Sequence, residues 1–219
     1  MNLEAVTDKW EEAAKSDLAQ AHIHPSGAQS LDNYEASGLS QAAEIQDVIN
    51  LYGGGSANPR VADFGCGDGR VAKHLSEIYP DLWGIDASPT MLERYAERVP
   101  GAQTLLSNGV DKGLKDLKAD LLFSWAVFIH HAPEEGRRLM DGLASGVKKG
   151  ALLALQIPLY ELPVDGGSWC SVTVWTPEMF KRSSQMAGLK IIEMHVSPGS
   201  FSYEEVGVNH TKLQVMRRI

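Results

Sequence analysis

The stretch Val61-Ala62-Asp63-Phe64-Gly65-Cys66-Gly67-Asp68-Gly69-Arg70 constrains this chain more than any other. A short apolar run ends in three glycines at alternate positions, and a helix-like pattern of Val71, Leu75 and Ile78 follows at once. That order predicts a buried strand, a tight turn and a helix start, where a ligand can approach bare backbone. A second apolar run, Trp83-Gly84-Ile85-Asp86, ends in an acid at the distance where the next parallel strand should finish.

Such a turn fits a chain that alternates strands and helices, and from Arg60 onward this one does. The pattern predicts strands at 61–64, 82–85, 104–106, 120–127, 151–157, 189–196 and 212–216. The helix after Arg70 ends at Pro80, and the next begins at Ser88-Pro89, a capping side chain before a first-turn proline. Pro133-Glu134-Glu135 opens a third with acids in its positive first turn, and Lys148-Lys149-Gly150 closes it. Thr176-Pro177-Glu178 starts the last, which ends at Gly188. The run 120–127 is nearly continuously apolar, as expected of a parallel strand buried on both faces. The fold class is therefore α/β with a mainly parallel sheet.

Two segments stand outside this alternation. Residues 1–55 read as a helical cap: Leu3, Val6, Trp10, Ala14 and Leu18 share one helical face. Ile45, Val48, Ile49 and Tyr52 share another, placed after Ser37-Gly38 and stopped by Gly53-Gly54-Gly55. His22, His24 and Pro25 lie in a loop between the two helices. The second segment is an insertion at 158–175, rich in Pro, Gly and aromatic residues without a clean period. With 219 residues, the chain reads as one domain whose core is 56–219. A charge of -8 argues against a dominant nucleic-acid contact. No apolar run is long enough to span a bilayer, and two cysteines make no disulfide framework, so the expected setting is cytoplasmic.

Glycine spacing separates two ligand classes. A dinucleotide turn reads G-x-G-x-x-G, because its third glycine lets helix and strand pack beside a pyrophosphate. Here the third glycine is Gly69, one position early, and Arg70 stands where that turn needs glycine. The resulting G-x-G-x-G resembles motif I of the class I S-adenosylmethionine (SAM) dependent methyltransferases. The resemblance continues through Asp86, through Ser124-Trp125-Ala126-Val127-Phe128-Ile129-His130-His131 in the motif IV region, and through Lys148-Lys149-Gly150, similar to the family's Lys-Pro-Gly-Gly turn.

The resemblance implies a Rossmann-like, doubly wound sheet of seven strands, the last antiparallel. It places Asp63 near the methionine part of SAM and Gly65, Cys66 and Gly67 beneath the ligand. Asp86 would bind the ribose hydroxyls, and Ala87, Ser88 and Met91 would pack the adenosine. Where the family has Gly-Asp, this chain has Ser107-Asn108-Gly109; the Asn108 side-chain oxygen can still accept from an adenine amine. Ser124 and Trp125 complete the expected cofactor contacts. His130 and His131 follow a buried strand near the expected methyl group and are the candidate catalytic pair; the alternative for one of them is only to cap the helix at Pro133. A base is needed only for an acceptor that arrives protonated, and histidine is partly neutral near pH 7.

More ordinary roles suit other residues. Cys66 is a small residue in a crowded turn, and His22 and His24 lack the clustered cysteines or carboxylates of a metal site, so no metal is expected. Trp10, Trp169 and Trp175 read equally well as core or as an aromatic acceptor wall; His195 and His210 carry no argued role. The sequence thus points to methyl transfer from SAM to oxygen or nitrogen of a small-molecule acceptor, by a monomer or homodimer. The alternatives are a protein or RNA methyltransferase and a non-catalytic SAM-binding subunit.

Overall fold

The computed structural model describes residues 3–15, 31–110, 112–160, 172–196 and 212–219. His22, His24, Trp169, Cys170 and His210, and most of the expected insertion, lie outside them. Helices α1 (Leu3–Ala14) and α2 (Leu31–Tyr52) precede the alternating core. The core runs β1 (Val61–Phe64), β2 (Leu82–Asp86), α3 (Pro89–Arg98), β3 (Gln103–Leu106), β4 (Ala119–Ser124), α4 (Pro133–Gly146), β5 (Val147–Gln156), α5 (Pro177–Met186), β6 (Leu189–Glu193) and β7 (Leu213–Arg218).

Seven strands form one sheet in the order β3-β2-β1-β4-β5-β7-β6. Pairs from β3 to β5 are parallel, and β7 runs antiparallel to both β5 and β6. Side chains alternate between two cores, as strand geometry requires. Val61, Leu121, Phe123 and Leu152 pack with Ile45 and Val48 of α2 and Tyr95 of α3. Ala62, Phe64, Leu122 and Leu153 pack with Leu139 and Leu143 of α4 and Phe180 of α5. Helices therefore cover both faces, the doubly wound arrangement. Gly84 of β2 shows how close that cover is: a Cβ there would lie 2.5 Å from the Tyr95 ring.

Several boundaries differ from the sequence expectation, each for a physical reason. After Arg70 there is no regular helix but a 3-10 turn at Ala72–His74. Its bonds mix three- and four-residue spacings, and Pro80 arrives before a regular ladder is established. Helix α2 begins at Leu31, ahead of Ser37-Gly38, because Gly38 is needed inside the helix: a Cβ would lie 2.4 Å from the Arg70 carbonyl oxygen. Lys148-Lys149-Gly150 belongs to β5 and does not close α4, which ends at Gly146. Strand β4 stops at Ser124, since Ala126 turns into the left-handed region at φ 60° and takes 125–127 out of the sheet. Helix α1 spans Leu3–Ala14, with Leu18 of its expected face outside the described residues, and β6 ends at Glu193, short of the expected residue 196.

Candidate active site

Strand β1 lies between β2 and β4, so the connections leave it in opposite directions and open a crevice at the carboxyl ends of the strands. A cleft of about 1120 Å³, solvent at its mouth included, occupies that crevice. Of the residues singled out in the sequence, Asp63, Gly65, Cys66, Gly67, Asp86, Ala87, Ser88, Met91, Asn108, Trp125, His130 and His131 line it. Ser124 and Gly109 do not. The Ser124 hydroxyl donates to the Phe64 carbonyl at 2.9 Å and ties β4 to β1. Gly109 is a packing position, where a Cβ would lie 2.5 Å from the Phe64 ring.

The glycine turn is held from below. Gly65 and Cys66 both donate to the Ile85 carbonyl, at 2.7 and 3.1 Å. Gly65 has φ +72°, and a Cβ on it would meet Val127 Cγ2 at 2.1 Å. Gly67, at φ +51°, has nothing within 4 Å of its Cβ position, so any larger side chain would enter the cleft itself. Asp86 fixes the turn: its carboxylate accepts from Gly67 N at 3.0 Å and Ser88 N at 2.9 Å. Burial raises the Asp86 pKa, and the backbone donors Ser88, Gly67 and Ala87 oppose that rise. Ser88 in turn caps α3, accepting from Met91 N at 3.1 Å.

Asp63 sits at the end of β1 with 3% of its surface exposed. Burial pushes its pKa up to about 8; the neighbouring Arg70 pulls down and Asp86 adds to the rise. This is a carboxyl group short of positive charge, poised to ionise when a cation arrives. Burial also pushes the Cys66 thiol up, with Asp86 and Asp63 adding to it, so Cys66 is an inert small residue here.

The opposite wall is the turn from Trp125 to His131. Gln156, fully buried at the end of β5, accepts from the Ala126 backbone N–H at 2.7 Å and holds that residue in its left-handed conformation. Thr173 N donates to the Ile129 carbonyl at 2.6 Å, and Trp175 Nε1 donates to the His131 carbonyl at 3.4 Å. Trp175 is thereby a core residue, fully buried, and not an acceptor contact. Neither histidine caps α4, whose N-cap is Ala132 with no side-chain bond. Burial lowers the His131 pKa to about 4, so its ring is neutral; Nδ1 lies 3.7 Å from Glu135 and makes no hydrogen bond. Trp125 Nε1 is likewise buried without a hydrogen-bond partner. The His130 ring lies 5.2 Å from the Trp10 ring.

Helix α1 closes the cleft from above through Thr7 and Trp10. Its Glu11 carboxylate accepts from the hydroxyls of Ser88 and Thr90. Burial would raise the Glu11 pKa, but bonds from Ser88, Thr90 and Lys15 outweigh it and bring the group to about 2. Tyr34 of α2 lines the far end, donating to Asp68 at 2.7 Å, with the Arg70 guanidinium 5.0 Å over its ring. Glu11, Tyr34 and Arg70 were not among the expected site residues. Their partners lie 77, 34 and 33 positions away, and no local pattern signals such pairings.

Residues 61–150 match the family model of the methyltransferase domain. The chain is similar to the trans-aconitate 2-methyltransferases of Rhizobium rhizogenes, 37% identical over 103 residues, and Afipia carboxidovorans, 34% over 101. Each match covers 45% of this chain and 38% of the relative, so the similarity spans about two-fifths of the relatives' length. Among solved structures, the Synechocystis magnesium protoporphyrin IX methyltransferase with bound SAH aligns with a TM-score of 0.66 at 16% identity, over 98% of this chain and all of that one. The Streptomyces venezuelae protein DesVI aligns with 0.65 at 16% identity, over 84% and 92%.

Proposed function

We propose that this chain, whose core is a class I S-adenosylmethionine-dependent methyltransferase domain, binds SAM in the cleft and transfers its methyl group to oxygen or nitrogen of a small molecule. One observation carries the reading. Asp63 and Asp86, at the ends of adjacent parallel strands, flank a glycine turn whose Gly67 leaves its Cβ direction open. SAM brings an ammonium and a sulfonium to a site where Arg70 only partly offsets the burial of a carboxyl, and a ribose diol to a carboxylate already oriented by two backbone donors.

The sulfonium supplies an activated leaving group, so the protein's contribution is alignment and exclusion of water, worth roughly 7–11 kcal/mol in well-oriented systems. Trp10 and α1 cover the cleft, while the turn at 125–131 fixes the wall against which an acceptor would rest. His131, neutral down to about pH 4, is a weak proton acceptor and suits hydrogen bonding to the acceptor better than removal of a proton from an ammonium. His130, beside Trp10, is the better-placed candidate for proton transfer. A small-molecule acceptor accords with the names of the relatives and with the small-molecule methyltransferases among the structural neighbours. The reading extends to a cytoplasmic monomer or homodimer, in keeping with the low cysteine content.

Calorimetric titration with SAM, its demethylated product SAH and NAD tests the cofactor. Binding of SAM and SAH with no heat from NAD is expected; NAD binding without SAM would overturn the reading. Methyl-labelled SAM incubated with a metabolite extract then separates an enzyme from a non-catalytic SAM-binding subunit.

A further inference from the structure

We infer that helix α1 is a lid over the cleft and that Glu11 is its clasp, whose release from Ser88 and Thr90 admits and frees the cofactor; this rests on the methyltransferase reading. The two N-terminal helices are held in different ways. Helix α2 puts Ile45 and Val48 into a sheet core and stays with it. Among the described residues, α1 adds nothing to either sheet core, and its buried apolar contact is Ala14 against Met91, a pair apart from both. The Glu11 carboxylate supplies a polar grip instead. Ser88 Oγ donates to its Oε2 at 2.5 Å, Thr90 Oγ1 to its Oε1 at 2.8 Å and Thr90 N to its Oε2 at 3.3 Å. A carboxylate suits that place because α3 begins at Pro89, and the first-turn N–H groups of a helix lack internal partners and form its positive end. Lys15, 3.0 Å from Glu11, lies one turn on from it in α1's own register and moves with it, so it partners the clasp without anchoring it.

Position turns this grip into a gate. Trp10 and Glu11 are consecutive, yet they reach opposite sides of the cleft. Glu11 holds Ser88, whose backbone N–H donates to Asp86 at 2.9 Å. Burial raises the Asp86 pKa and the Glu11 charge adds to that rise, so the clasp stands beside the carboxylate proposed to hold the ribose. Trp10 reaches the acceptor wall, its ring 5.2 Å from that of His130. Thr7 lines the cleft with Trp10. Helix α1 is thus a bar laid from the cofactor side to the acceptor side, and a ligand lying along the strand ends passes beneath it. Each turnover must exchange SAH for SAM, so the bar has to lift. A segment with few buried apolar contacts opens at the least cost, and water can replace the hydrogen bonds that Glu11 gives up. Lifting α1 also carries Trp10 away from His130, so the acceptor wall is complete only when the clasp is shut over the cofactor.

The test measures SAH exchange in the full chain, association by rapid mixing and dissociation by chasing labelled SAH with unlabelled SAH. Wild type that binds no SAH would overturn the methyltransferase reading and take the inference with it. Glu11→Gln keeps the shape of the side chain and replaces charge-assisted bonds with weaker neutral ones. A clasp that opens in both the free and the bound protein governs both rates. Association and dissociation should therefore rise together by about tenfold, the factor that about 1.4 kcal/mol produces, while the Kd for SAH stays within about threefold. Thr90→Val removes one bond to Glu11 from a residue outside the cleft lining and should raise both rates by about threefold, which keeps the inference testable should Glu11→Gln fail to fold. Faster dissociation with unchanged association, and so a matching rise in Kd, would make Glu11 an ordinary structural contact and overturn the inference. Unchanged rates in both variants would overturn it as well, with the cofactor assignment left standing.

Discussion

The two halves of the cleft are built by different means. Over β1 and β2, backbone does most of the work: glycine N–H groups, a left-handed turn and two strand-end carboxylates within a few dozen residues of each other. Over β4 and β5, the wall is a chain segment bent out of the sheet and pinned by side chains from distant parts of the sequence, Gln156 and Trp175 among them. The first half suits a ligand that never changes. The second can be rebuilt for a new acceptor by changing pins while the sheet stays intact. The halves touch where Gly65 meets Val127.

That contact gives the largest expected effect. Gly65→Ala puts a methyl group 2.1 Å from Val127 Cγ2 in a left-handed backbone, which should cost about 4 kcal/mol in urea unfolding and abolish measurable SAM binding. Gly65→Ala with Val127→Ala should recover the part due to the clash. Full stability of the single variant would show that the halves do not share this contact.

On the acceptor wall the next effect is acid lability. His131 is held at about 4 against an ordinary 6.5, so its neutral ring contributes stability that is fully present above pH 6.5. That contribution disappears as pH falls through 4, because the unfolded chain takes up the proton first. Wild type should lose about 3 kcal/mol more than His131→Gln between pH 7 and pH 4. Parallel stability curves for the two proteins would sink this account.

Gln156→Met strips the Ala126 N–H of its acceptor and should cost about 2 kcal/mol. Adding Ala126→Gly, which tolerates φ 60° without strain, should return about 1 kcal/mol in that background. SAM affinity should change by less than about threefold, roughly 0.6 kcal/mol, if the two halves are separable. A large loss of SAM affinity would mean that the pinned turn also carries the cofactor.

The same contrast explains what the sequence disclosed. The strand ending at Phe64, the one ending at Asp86 and the Ser88 cap are local features, fixed by neighbours a few positions away, and the structure has them where the pattern places them. The placement of Asp63 and Asp86 around one turn follows from that locality. Local pattern and structure part where tertiary contacts override the pattern. Val71, Leu75 and Ile78 keep helical spacing in a segment too short to wind regularly, and Lys148-Lys149-Gly150, a plausible helix stop, pairs instead as strand. Trp125–Val127 continued an apolar run, but the sheet ends at Ser124 because Gln156 captures Ala126. Glu11 and Tyr34 were illegible for the same reason: their roles exist only once α1 and α2 have docked.

The smallest effect returns to the cofactor half. In the free protein Asp63 is protonated below about pH 8, raised first by burial, with Asp86 adding to it and Arg70 opposing. Cys66 and Tyr95, the other titratable groups coupled to it, are themselves raised and stay neutral through this range. A cationic ligand stabilises the ionised carboxylate, so SAM binding should release a proton at neutral pH. Affinity should therefore rise with pH, by close to tenfold per unit between pH 6 and 7, about 1.4 kcal/mol, and level off above about 8. Calorimetry in buffers of different ionisation heat should count nearly one proton released per SAM at pH 7 in wild type and none in Asp63→Asn. A flat profile in wild type would mean that Asp63 is already ionised before the ligand arrives, and the cofactor half would then owe its charge balance to Arg70 alone.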